Sequence, residues 1–305
     1  MSFDSGLYIA FTLTVAALSA ALFYQAGREF APWAAQRVYL GAFALGGAAL
    51  TAVMNVGLST PDLALALGTS LAVLRVRDAG LVCPVGLLRG SEGPDSSLCP
   101  APVALGLAAF LFGAGLPLNG WVQVALLPGY GILLFEARWK RRAWPAWPSL
   151  GRIVLPPLLS ALAGMALCYF LLMPLGLGRP MFNVAEGAGL NHGSDGVFAG
   201  LWRLVLDLGR DWTWPGLAAL GLGWALLFRK KPWMAAGLFS LVLALALFSP
   251  ASQAPIYRLI LIQVFLGLGL AGFMAVPPLR RWLGPVFLAA ALAAAWRLSL
   301  NGSSF

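Results

Sequence analysis

Long apolar runs separated by short polar joints dominate this chain, and their lengths predict helices rather than strands. Ten such segments can be drawn, at 6–24, 39–58, 61–74, 101–118, 120–135, 153–175, 214–228, 233–248, 256–276 and 285–300. A membrane-crossing helix needs roughly 20 apolar residues. The segment at 61–74 falls short of that and 285–300 is marginal, so the pattern gives about eight to ten spans. The piece at 81–88 reads as re-entrant or interfacial. Backbone facing lipid must satisfy its own hydrogen bonds, which restricts the architecture to helices here. The expected fold is all-α, a polytopic transmembrane helical bundle forming one integral membrane domain over 1–305.

One long polar stretch interrupts the pattern, at 174–215. It holds the sole histidine, His192, and four of the eleven acids, Glu186, Asp195, Asp207 and Asp211. Its first half is rich in Gly and Asn and reads as loop. In its second half Phe198, Leu201, Trp202, Val205 and Leu208 recur at helical spacing, with Arg203, Asp207 and Arg210 on the opposite face. That is an amphipathic helix lying in the membrane interface. Loops of this length inside a compact chain usually carry function.

Composition changes the picture in one respect. The chain is 60% hydrophobic and only 10% charged, whereas a soluble domain is about a quarter charged. An integral membrane protein follows, and the first apolar run is long enough to stay in place as a span rather than serve as a cleaved leader. The net charge of +9 therefore calls for no nucleic acid, because the positive-inside rule accounts for it. With the N-terminus outside and ten alternating spans, fifteen of the twenty Lys and Arg fall on inner segments. Arg28, Arg77, the cluster RWKRR at 138–142 and RKK at 229–231 are among them. The tryptophans at 121, 144, 147, 212, 214, 233 and 282 cluster at segment ends, as interfacial rings do. Gly and Ala at three- and four-residue spacing, as in GAFALGGAALTA (41–52) and GLAALGLG (216–223), allow helix backbones to approach closely.

Candidate chemistry gathers on the outer side. Asp62, in STPD, reads either as a helix-start residue or as a functional acid. Asp4, in FDSG, reads as a fraying polar terminus or as an acid at the edge of the first span. His192 and Asp195, in NHGSDG, stand too close together for a hydrolase triad and read as loop or substrate contacts. Arg258, beside Tyr257, opens a span and either anchors it among headgroups or grips a lipid-linked phosphate. No metal-ligand set or cofactor motif is present; GLGLAG at 267–272 lies inside a span without a preceding strand. Cys168 reads as a small core residue, and Cys83 and Cys99 flank one loop. With no ionisable side chain in mid-span, a proton-driven pump is disfavoured, although a transporter of neutral small molecules stays open.

The succession GLAAFLFGAGLPLNGWVQVALLPGYGILLFEARWKRR (106–142), the long loop, DWTWPGLAALGLGWALLFRKK (211–231) and IYRLILIQVFLGLGLAGF (256–273) resembles the transmembrane region of GT-C-type membrane glycosyltransferases. The resemblance runs over roughly 39–284 and points to the protein-O-mannosyltransferase-like bacterial group. It implies a multi-pass protein of the bacterial cytoplasmic membrane that takes a polyprenyl-phosphate sugar donor at its outer face. It would make Asp4 or Asp62 the base, Arg258 the phosphate contact, and His192, Asp195 and Tyr257 substrate contacts. The acid-bearing first outer loop of that family is missing, which reads as a truncated, split or inactive relative. The rival reading is a non-enzymatic subunit or scaffold packed against partner membrane proteins.

Overall fold

The computed structural model describes residues 3–30, 61–79, 100–139, 147–171 and 214–248, with single positions at 37, 41, 44, 202, 205, 206, 268 and 272. Among these the chain is all helical. Six helices follow in order: α1 (Phe3–Gly27), α2 (Pro61–Ala79), α3 (Pro100–Trp139), α4 (Trp147–Leu171), α5 (Trp214–Lys230) and α6 (Pro232–Phe248). Polar residues inside α1 and α2 do not disturb them, because their hydroxyls bond back to the preceding turn. Thr14 donates to the Ala10 carbonyl at 2.8 Å, Thr69 to Leu65 at 2.7 Å and Ser70 to Ala66 at 2.8 Å.

One stretch, Val103–Phe135, is long and apolar enough to cross a membrane by length and composition, with mean hydropathy 1.6. It is not one straight rod. Asn119 leaves helical geometry (φ −157°, ψ 85°) two residues after Pro117. Its Oδ1 then accepts the Val122 N–H at 3.2 Å, capping a new helix in the manner of an N-cap. Residues 115 and 123 would be about 12 Å apart along an unbroken helix. Instead a Cβ on Gly115 would lie 3.0 Å from Cγ of Gln123. The helix doubles back, and α3 is a hairpin of two rods, 100–118 and 120–139.

The other helices stack on this hairpin. Leu111 and Leu18 both face Gly68 of α2, while Ala114, Leu118 and Cys168 form a small cluster against Leu65. Thus α2 runs opposite to the first rod. Helix α4 runs with that rod, Gly106 lying opposite Ser160 and Gly164 against Phe110. The second rod packs on α2, where Ser70 and Tyr130 share a buried hydrogen bond of 3.1 Å. It also packs against α6 running the other way: Gly129 meets Leu241, Leu133 meets Gly237, and the Phe135 and Trp233 rings lie 6.0 Å apart. Helices α5 and α6 form a second hairpin, with Trp224 and Phe228 on Phe239 at 5.4 and 6.1 Å.

Several crossings among the described residues depend on glycine, including one where a Cβ on Gly272 would land on the Gly223 carbonyl of α5. At Gly113 and Gly164 an added Cβ would land on the carbonyls of Ala161 and Phe110, so α3 and α4 touch backbone to backbone. At Gly129 and Gly237 the crossing of the second rod with α6 is nearly as close. Such contacts replace the hydrophobic drive that helices lack when their surroundings are as apolar as they are.

The segments at 6–24, 61–74, 101–118, 120–135, 214–228 and 233–248 fall on helices, as does 153–175 as far as Leu171, where the described residues end. Apart from single positions, the segments at 39–58, 256–276 and 285–300 lie outside the described residues. The short segment at 61–74 gains a further turn, since α2 continues to Ala79. Asp4 is the second residue of α1, which starts at Phe3. Cys168 is buried, as expected of a core residue; Cys83 and Cys99 lie outside the described residues. In the long loop, positions 202, 205 and 206 are helical and Trp202 is 62% exposed, in keeping with a helix lying on a surface.

The α3–α4 crossing makes a direct prediction. Gly164→Leu should lower the unfolding midpoint in detergent by the equivalent of roughly 1–3 kcal/mol or more, because two backbones must separate. Gly131→Ala, where nothing lies within 4 Å, should leave it unchanged or raise it slightly, since alanine favours helix.

Candidate functional site

The best-connected polar group among the described residues lies at one end of the bundle. It joins the C-terminal ends of α1 and α2 to the joint between α5 and α6. Arg77, only 9% exposed in its side chain, is the hub: its guanidinium pairs with Glu29 through both Nη1 and Nη2 and with Oδ1 of Asp78 at 3.3 Å. Lys231 donates to Glu29 Oε2 at 2.6 Å and rests over the Phe30 ring at 5.6 Å. Arg28 reaches Asp78 Oδ2 at 3.1 Å, and the Gln25 amide donates to the same oxygen. Arg77 can serve two carboxylates because a guanidinium presents several donors in one plane.

The two acids respond differently. Burial opposes charge on Glu29, yet hydrogen bonds and attraction from Arg77 and Lys231 outweigh it and hold its carboxyl below the ordinary range. Burial raises Asp78, and repulsion from Glu29 adds to that; Arg77, Arg28 and Gln25 only partly offset the rise. The folded protein therefore binds fewer protons at Glu29 than the unfolded chain does. That contribution to stability is present above pH 4.5, the ordinary value, and is lost as pH falls through the lowered one. Asp78 works in the reverse sense, its contribution fading as pH rises through its raised value.

The opposite end carries the sequence candidates that the structure describes. Because α1 and α2 run in the same direction, Asp4 and Asp62 occupy the first turns of two neighbouring, parallel helices. Asp62 stands some 24 Å along the axis from Asp78, at about 1.5 Å per residue. It directly follows Pro61, the first residue of α2, where proline is pre-shaped for the helix and an acid suits the helix dipole. The Asn119 reversal lies at this end too, since Leu65 packs against the cluster of Ala114, Leu118 and Cys168. Next to it is Gln123, fully buried, with neither amide atom hydrogen-bonded among the described residues. His192, Asp195, Tyr257 and Arg258 lie outside the described residues.

Sequence reasoning missed Glu29, Asp78 and Gln25 as a group at one end, and Gln123 at the other. Arg28, Arg77 and Lys231 were read as separate anchors on the inner side, and the structure gathers all three. The available signal was an acid directly beside an arginine at two of those ends, REF (28–30) and RVRD (75–78).

No family model, no curated protein and no solved structure matches the chain.

Losing one member of a buried ion pair costs about 3–5 kcal/mol, against 0–1 at a surface. Arg77→Ala should therefore cost several-fold more stability than Arg28→Ala, whose side chain is 38% exposed; chemical denaturation of both variants measures this. Acidification below pH 4.5 should destabilise the wild type more steeply than Glu29→Gln, in which that group no longer titrates.

Proposed function

We propose that the chain is a polytopic membrane protein that transfers a sugar from a polyprenyl-phosphate donor, working at the bundle end opposite the ionic network. The observation that carries this reading is the parallel run of α1 and α2, which turns both N-terminal ends toward the same side of the bundle, with Asp4 about 12 Å further along the axis than Asp62. Membrane embedding draws support from α4. Leu155, Leu158, Leu159, Leu162 and Leu167 are about half exposed and Phe170 is 72% exposed. Complete burial of such side chains is worth about 1.5–3 kcal/mol each in water, so a face of this kind fits acyl chains. Arg28, Arg77 and Lys231 fall on the side that the positive-inside rule assigns to the cytoplasm. The site end then faces outward, as expected for a bacterial cytoplasmic membrane protein with its N-terminus outside.

In this reading Asp62, with Asp4 as the alternative, takes the proton of an acceptor hydroxyl. The acceptor oxygen bonds to the sugar carbon, the bond from that carbon to the phosphate oxygen breaks, and polyprenyl phosphate leaves. In this reading Arg258 is assigned the donor phosphate, and His192, Asp195 and Tyr257 are assigned as substrate contacts. The α4 face also favours a second reading, a membrane subunit whose apolar surface seats a partner membrane protein.

Sugar transfer from a polyprenyl donor in proteoliposomes tests the proposal. Loss of a general base lowers turnover by about 10²–10⁴-fold, and Asp62→Asn or Asp4→Asn should show that loss. Full activity in both variants would remove the base and the reading with it.

A further inference from the structure

Gln123 is 0% exposed, and its Nε2 and Oε1 both lack a hydrogen-bond partner among the described residues. A buried amide is normally paired, and leaving it unpaired is costly. The packing nevertheless makes room for it: the side chain runs against Gly115, where any Cβ would collide with it. Leu111, one turn before Gly115, faces Gly68, so the amide sits in the seam between the α3 hairpin and α2.

Its height in the bundle follows from its neighbours. Tyr130 meets Ser70, and the second rod of α3 runs in the same direction as α2. Seven residues before Tyr130 is Gln123; seven before Ser70 is Leu63, next to Asp62. On α1, Thr12 lies six residues before Leu18, which faces Gly68, and Asp62 lies six before Gly68. Thr12, Asp62 and Gln123 thus stand at about one height on their helices, with Asn119 a turn further on, and Gln123 stands there with an unused donor and an unused acceptor among the described residues.

We propose that Gln123 is a binding residue for a hydroxyl of the transferred sugar, a role that rests on the sugar-transfer reading above. The chemistry selects the ligand group. A hydroxyl both donates and accepts, so it can satisfy Oε1 and Nε2 in turn. A phosphate at neutral pH offers mainly acceptors and would leave Oε1 facing negative oxygen. Gln123 therefore distinguishes the sugar-bearing lipid from the bare lipid phosphate, and leaves phosphate to a cation.

Binding to the purified full chain in nanodiscs tests this, with a polyprenyl-phosphate hexose and the same polyprenyl phosphate without sugar as probes. Gln123→Leu should weaken the sugar-bearing lipid ~10-fold, the scale of one lost hydrogen-bonded partner, and leave the bare lipid phosphate unchanged. The melting temperature of the empty protein should stay level or rise, because an unpaired polar group has gone. Equal weakening of both lipids, no weakening, or a lower melting temperature would each overturn the role of Gln123 while leaving sugar transfer intact. A wild type that binds neither lipid would overturn both.

Discussion

Apolar helices attract one another with little preference for which end meets which, so an oily bundle needs something directional to fix its arrangement. In this chain that is the sharing of Arg77 between Glu29 and Asp78, completed by Lys231, Arg28 and Gln25. Three cations and two carboxylates draw the ends of α1 and α2 and the joint between α5 and α6 to one point. Once those ends are tied, α1 and α2 run in parallel, and their N-terminal ends point the same way, α1 reaching further than the shorter α2. The candidate site owes its location to a network far along the bundle from it.

Within the apolar body the determinants are steric. The hairpin at Asn119 folds the longest of the described helical stretches back on itself, so one long segment supplies two rods instead of one overlong helix. Glycines at 113 and 164, and at 129 and 237, let rods approach until backbone touches backbone. The hydrogen bond between Ser70 and Tyr130 sets the height of the second rod against α2, and that height brings Gln123 level with the start of α2. Ionic, steric and polar contacts each fix a different degree of freedom: direction, separation and register.

The two ends are chemically unlike. At one, Arg28, Arg77, Lys231, Glu29 and Asp78 are all paired with one another, and the acids are held at shifted affinities for protons by burial and by their charged neighbours. At the other, acids start helices and a buried amide keeps both hydrogen-bonding atoms free among the described residues. A closed network suits a structural tie, whereas open valences suit a ligand. That contrast is why the acids at the helix starts, rather than the denser ionic cluster, carry the functional proposal.

The sequence by itself determined the helical class, most helix positions and the gathering of Arg28, Arg77 and Lys231 on one side, because these depend on apolar run length and on local charge. It also located the α3 turn, since Pro117 and Asn119 interrupt the run within three residues. What only the tertiary structure decided was which residues face one another. Glu29 and Arg77 stand 48 positions apart and Lys231 lies 202 from Glu29, and no periodicity encodes such pairings. The free state of Gln123 is of the same kind. A glutamine inside an apolar run looks like any other until its surroundings are assembled and both of its polar atoms are found without a partner among the described residues.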